Sequence, residues 1–143
     1  MKKSSRGKRT KRKEGERGSP ALIAIVDDEE SIREALQSLL KSLGFRAEGF
    51  ASAEDFLQSA LLPGTTCLIL DVRMPGMSGL ELQRQLAADE RRIPIIFITA
   101  HGDEDTRARA LQAGAVVFLA KPYSEDALLT AVHSALEHGR DEA

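Results

Sequence analysis

Along the chain, short continuous apolar runs alternate with longer stretches in which apolar residues recur every three or four positions. Ala21-Leu22-Ile23-Ala24-Ile25-Val26 is the first run. A run this short, apolar throughout, predicts a strand buried on both faces. It stops at Asp27-Asp28-Glu29-Glu30. Ile32, Ala35, Leu36, Leu39, Leu40 and Leu43 then recur at helical spacing, and Gly44 ends that helix. Phe45 to Phe50 predicts a weaker second strand. Ser52 is placed to cap a second helix with Ala53, Phe56, Leu57 and Ala60 inward, ended by Pro63-Gly64. Cys67-Leu68-Ile69-Leu70 is a third strand ending in Asp71. A Pro- and Gly-rich loop follows, and a third helix from about Ser78 with Leu80, Leu82 and Leu86 toward the core. Pro94 to Thr99 predicts the fourth strand, Glu104 to Gln112 the fourth helix, and Ala115 to Leu119 the fifth strand. After Lys121-Pro122, Ser124 caps a fifth helix with Leu128, Leu129, Val132 and Leu136 inward.

Five βα units in succession call for right-handed crossovers, a parallel sheet and helices on both faces. The pattern fits an α/β, doubly wound (βα)5 sheet of the flavodoxin-like type, with strand order 2-1-3-4-5. That order makes strands 1, 3, 4 and 5 neighbours. Their carboxyl ends carry Asp27 and Asp28, Asp71, Thr99 and Lys121. Ligands of open α/β sheets bind at such strand ends.

Composition adds two constraints. The 143 residues suffice for one domain with a hydrophobic core, and no apolar run approaches the ~20 residues of a membrane span. The single cysteine, Cys67, lies within an apolar strand and reads as a small buried hydrophobe. No apolar stretch follows the basic start of the chain as a secretory signal requires, so the expected compartment is the cytoplasm. The net charge of −2 conceals an asymmetry: residues 1–18 hold nine Lys or Arg and two Glu. The expected organisation is a disordered basic tail over residues 1–20, a folded domain over 21–138 and a C-terminal tail over 139–143. The basic tail has no aromatic residue to stack on bases, so any attraction it exerts on polyanions is nonspecific.

The chemistry converges on the strand ends. Clustered carboxylates repel unless a cation sits among them, and Mg²⁺ is suited to carboxylates, a backbone carbonyl, waters and a phosphate oxygen. Asp71, alone after its strand, is placed as a nucleophile that accepts a phosphoryl group. Lys121 supplies positive charge for the transferring oxygens, and the Thr99 hydroxyl a hydrogen bond.

Val26-Asp27-Asp28-Glu29, Leu70-Asp71-Val72-Arg73-Met74-Pro75-Gly76, Ile98-Thr99-Ala100 and Lys121-Pro122 appear in order, each after its predicted strand. Together they resemble the signatures of a bacterial two-component response-regulator receiver domain. Phe97-Ile98-Thr99-Ala100-His101-Gly102-Asp103 and Ala113-Gly114-Ala115 are similar to the FixJ-like group. The resemblance implies Asp71 as phosphoacceptor and a Mg²⁺ pocket of Asp27, Asp28, Asp71 and the Arg73 carbonyl. Thr99 and Lys121 would contact the phosphoryl group. Thr99 and Phe118 would form a switch that reshapes the surface of helix 4, strand 5 and helix 5, and the Lys121-Pro122 peptide would be cis. The implied donor is a sensor histidine kinase or a histidine phosphotransfer protein. A downstream protein partner, unidentified, and a homodimer on phosphorylation are further implications. FixJ-like regulators carry a DNA-binding domain after the receiver, whereas these 143 residues leave no stretch for one, so either a stand-alone receiver or an excised domain is expected, and the basic tail favours the first. Such a domain is no enzyme beyond its own phosphorylation and dephosphorylation.

Taken singly, the site residues have ordinary roles: Asp27 or Asp28 as a helix cap, Thr99 and Phe118 as strand and core, Lys121 as a solvated loop residue. Three other readings compete, and one of them, a nucleic-acid module based on the basic tail, finds no helix-turn-helix or other recognisable reader in the sequence. A phosphatase with an aspartyl-phosphate intermediate typically carries a second Asp two residues after the nucleophile, where this chain has Arg73. An adaptor that works without phosphorylation is usually argued from missing site residues, and none is missing here.

Overall fold

The structure is a computed structural model and describes residues 21–100 and 104–142. The basic tail and His101 lie outside the described residues. Five parallel strands, β1 (Leu22–Val26), β2 (Arg46–Phe50), β3 (Cys67–Asp71), β4 (Ile95–Thr99) and β5 (Val117–Ala120), form one sheet in the order β2-β1-β3-β4-β5. This is the flavodoxin-like (βα)5 arrangement. The helices are α1 (Glu30–Ser42), α2 (Ala53–Leu57), α3 (Gly79–Ala88), α4 (Glu104–Gln112) and α5 (Glu125–Glu142).

Strand alternation divides the core in two. Ile23, Ile25, Cys67, Ile69, Ile96 and Ile98 pack against Leu36 and Leu40 of α1 and Leu128, Ala131, Val132 and Ala135 of α5. Ala24, Val26, Leu68, Leu70 and Phe97 face Phe56 of α2, Leu82 and Leu86 of α3, and Ala110 of α4. The three central strands are buried at every position. Burial pushes the Cys67 thiol up to about 12, as expected of a residue that serves only packing.

Serine caps start three helices. Ser52 Oγ accepts the Asp55 N–H at 3.0 Å, and Ser124 Oγ accepts the Ala127 N–H at 3.0 Å. Ser78 and Glu81 form a reciprocal capping box on α3, with the Glu81 N–H donating to Ser78 Oγ and the Ser78 N–H to Glu81 Oε1. Ser78→Ala is expected to lower stability by about 1 kcal/mol, measured by urea unfolding.

Some expectations change. α2 ends at Leu57 and leaves Ala60 exposed. The Ser59 hydroxyl accepts the Leu61 N–H at 2.9 Å, a local bond that competes with the helix ladder, and a short 3-10 turn over Leu62–Gly64 follows. Ala35 and Leu43 are exposed rather than inward. The last helix runs to Glu142, past the expected boundary at 138. α3 and α4 share a buried polar tie: Gln83 Nε2 donates to the Ala110 carbonyl at 3.0 Å. No helix among the described residues is long and apolar enough to cross a membrane.

Candidate functional site

Register builds the site. Val26 pairs with Leu70, so the next residues, Asp27 and Asp71, lie side by side. Asp71 pairs with Ile98, Thr99 with Ala120, and the Lys121 N–H donates to the Thr99 carbonyl at 2.9 Å. Four strand ends thus gather the residues that the sequence singled out. Asp71 alternates in phase with Cys67 and Ile69, toward α1 and α5. Thr99 is in phase with Phe97, on the opposite face, where Phe118 pairs with Phe97.

The carboxylates converge. One oxygen each of Asp27, Asp28 and Asp71 lies within 4.8 Å of the others. Asp27 and Asp71 are buried and Asp28 is exposed, so the cluster opens to solvent on one side. Burial first, then the charge of Asp27, pushes the Asp71 carboxyl up to about 6, against the pull of Lys121 and the Arg73 N–H. Burial also raises Asp27, against the Glu29 N–H and Lys121. Lys121 Nζ stands 3.8 Å from Asp27 Oδ2 and 3.8 Å from Glu29 Oε1. Asp27 Oδ1 accepts the Glu29 N–H at 2.9 Å, whereas Asp27 Oδ2 is buried and accepts no hydrogen bond among the described residues. A buried, unbonded carboxylate oxygen beside two further carboxylates suits a divalent cation.

The loop after β3 is held from two sides. Gly79 donates its N–H to the Val72 carbonyl at 2.9 Å. Gly76, at φ +77°, turns the loop, and Glu54 Oε2 of α2 accepts the Met77 N–H at 3.0 Å. The Lys121-Pro122 peptide is cis. Thr99 is fully buried, Phe118 half-buried, and the rings of Phe97 and Phe118 are tilted by 39° with centroids 6.2 Å apart.

Sequence reasoning missed Arg33, Glu29 as a partner of Lys121, and Glu54. Arg33 had one available signal. It sits one turn beyond Glu29 on α1, and long helical side chains reach back toward the N-terminus.

A sheet of this order with an acidic cluster and a lysine at its carboxyl edge defines a phosphoacceptor domain. The response regulator receiver domain family matches residues 23–133, and the chain belongs to that family. It is 49% identical over 117 residues to the response regulator protein TmoT of Ectopseudomonas mendocina, covering 82% of this chain and 53% of the relative. It is 46% identical over 125 residues to nodulation protein W of Bradyrhizobium diazoefficiens, covering 87% and 55%. Among solved structures, response regulator StyR superposes with a TM-score of 0.80 at 48% identity, covering 87% of this chain and 63% of that one. FixJ-N superposes with a TM-score of 0.76 at 41% identity, covering 84% and 96%. The chain spans about half the length of the curated relatives it matches. As a receiver domain it takes a phosphoryl group from a histidine kinase onto an aspartate in a two-component relay.

Proposed function

We propose that Asp71 is the phosphoacceptor, that Mg²⁺ is held by Asp27, Asp28, Asp71 and the Arg73 carbonyl, and that Thr99 and Lys121 receive the phosphoryl oxygens. The observation that carries this reading is the convergence of three carboxylates, one of which, Asp27, keeps a buried and unbonded Oδ2, with Lys121 beside them. An Asp71 oxygen attacks phosphorus, the P–N bond to the donor histidine breaks, and the imidazole keeps the electron pair. The bound cation supplies neutralising charge to the transferring oxygens. Lys121 adds its point charge by leaving Asp27 and Glu29 for the phosphoryl group.

The new group adds roughly −1.5 to −2 charge at Asp71. The Thr99 hydroxyl moves toward it, and Phe118, which has no polar atom to desolvate, turns into the vacated space. The altered surface of α4, β5 and α5 is read by a partner protein or by a second copy of the chain. The donor is a sensor histidine kinase or a histidine phosphotransfer protein, and the setting is the cytoplasm.

Incubation with Mg²⁺ and acetyl phosphate is expected to raise the intact mass by one phosphoryl group. Chelation of Mg²⁺ or the change Asp71→Asn abolishes the gain. No gain from acetyl phosphate or from a phosphorylated histidine kinase, together with no binding of beryllofluoride, would overturn the reading.

A further inference from the structure

Arg33 of α1 is half-buried, and its side chain follows a defined path. Its Cγ and Cδ cross β2 at Gly49, where a Cβ on residue 49 would come within 2.7 Å and 3.0 Å of them. Beyond Gly49, Nη1 donates to the Asp27 carbonyl at 2.7 Å, the short end of the charge-assisted range. That carbonyl belongs to the peptide joining Asp27 to Asp28. Asp27 is otherwise fixed by its N–H to the Phe50 carbonyl at 3.1 Å and by Oδ1 to the Glu29 N–H at 2.9 Å. Only Oδ2 is left without a hydrogen bond, on a carboxylate that belongs to the acidic cluster. Lys121 is the cation paired with the Asp27 carboxylate, while Arg33 is bonded to the backbone.

We infer that Arg33 is a positioning residue for cation binding: it reaches through the space that Gly49 leaves open and holds the Asp27–Asp28 peptide so that both carboxylates converge with Asp71. The inference rests on the reading of that cluster as a divalent-ion site. Groups outside the ligand set that orient the ligands act this way in metal sites, and their loss typically weakens affinity by about 10- to 100-fold. Gly49 makes the inference testable from a second element. The nearest atoms to a methyl group there are the arginine stem and Gln37 Oε1, so it obstructs the stem first.

The test is Mg²⁺ binding by titration calorimetry on the full chain, with melting temperature alongside. Arg33→Gln is expected to weaken Mg²⁺ binding about tenfold with little change in melting temperature. Gly49→Ala weakens it in the same direction, and the double variant is no weaker than Arg33→Gln alone, because both changes remove one interaction. Gln37→Ala is the control. Its Nε2 donates to the Ala47 carbonyl and its Oε1 also lies beside Gly49, so its binding should match wild type. Phosphorylation of Arg33→Gln by acetyl phosphate, slow at low Mg²⁺, recovers when Mg²⁺ is saturating. Wild-type affinity in Arg33→Gln, losses that multiply in the double variant, or a rate defect that saturating Mg²⁺ leaves in place would overturn the inference. If Arg33→Gln fails to fold, wild-type affinity in Gly49→Ala overturns it instead. A wild-type chain that binds no Mg²⁺ overturns the pocket reading itself.

Discussion

With divalent ions removed by chelation, Asp71→Asn is expected to stabilise the domain by about 3 kcal/mol at pH 7. The wild-type carboxyl is buried beside Asp27 and has its pKa raised from 3.8 to about 6, so folding must neutralise it or carry a repelled charge. The sign follows. Below the unfolded value of 3.8 both states are protonated and the group contributes nothing. As pH rises through the folded value near 6, the full penalty develops. Asparagine has no such charge. The gap between variant and wild type should therefore be small near pH 4, open between about 4 and 6, and stay constant above. Urea unfolding across this range in chelator measures it. Added Mg²⁺ should narrow the gap at pH 7, since it binds the folded wild type more tightly than the variant. Equal stabilities at pH 7, or a gap that ignores pH, would show that Asp71 is not under this strain.

Among the described glycines, Gly79→Ala should be the most damaging substitution. A Cβ there would overlap the carbonyl oxygen of Asp71 and come within 3.0 Å of Phe97 Cε1 and the Val72 Cα. Two of these three contacts are backbone, so nothing flexible can give way. The change should cost about 3 kcal/mol, the upper part of the usual range for overpacking. It should also slow phosphorylation, because the first residue of α3 is pressed against the peptide of the proposed nucleophile. Gly64→Ala is the comparison, with no atom within 4 Å of its added Cβ and no left-handed backbone, and it should be near neutral. Urea midpoints and acetyl-phosphate kinetics on both variants separate the outcomes. A Gly79→Ala protein as stable and as active as wild type would mean that α3 can slide away from Asp71.

The strands and their order were legible because continuous apolar runs with Asp, Thr or Lys at their ends leave few arrangements for a parallel sheet. Asp27, Asp28, Asp71, Thr99 and Lys121 could be placed from that order alone. Helix α2 was not legible in its extent. Ala60 continues the helical spacing, and only the Ser59 hydroxyl on the Leu61 N–H shows why the helix stops short. Leu43 keeps the period of α1 and yet is exposed, because the helix ends at Ser42 and Leu43 is its C-cap, already outside the helical turn. Arg33 was only partly legible, since its place one turn beyond Glu29 shows its reach but not its path. Its role needs an empty place at Gly49, on another strand, and periodicity within one helix carries no record of that.

The bond from Gln83 to the Ala110 carbonyl gives α4 the mechanics of a lever. Any tilt of α4 that keeps this bond has its fulcrum at Ala110, near the end remote from the strand tips. Glu104 lies six residues away, an arm of about 9 Å at the helical rise. α4 lies on the side of the sheet where Thr99 sits, because its Ala110 packs in the same core cluster as Phe97. Under the proposed switch, a shift of α4 begun at Thr99 would sweep widest at the first turn and die out at Ala110.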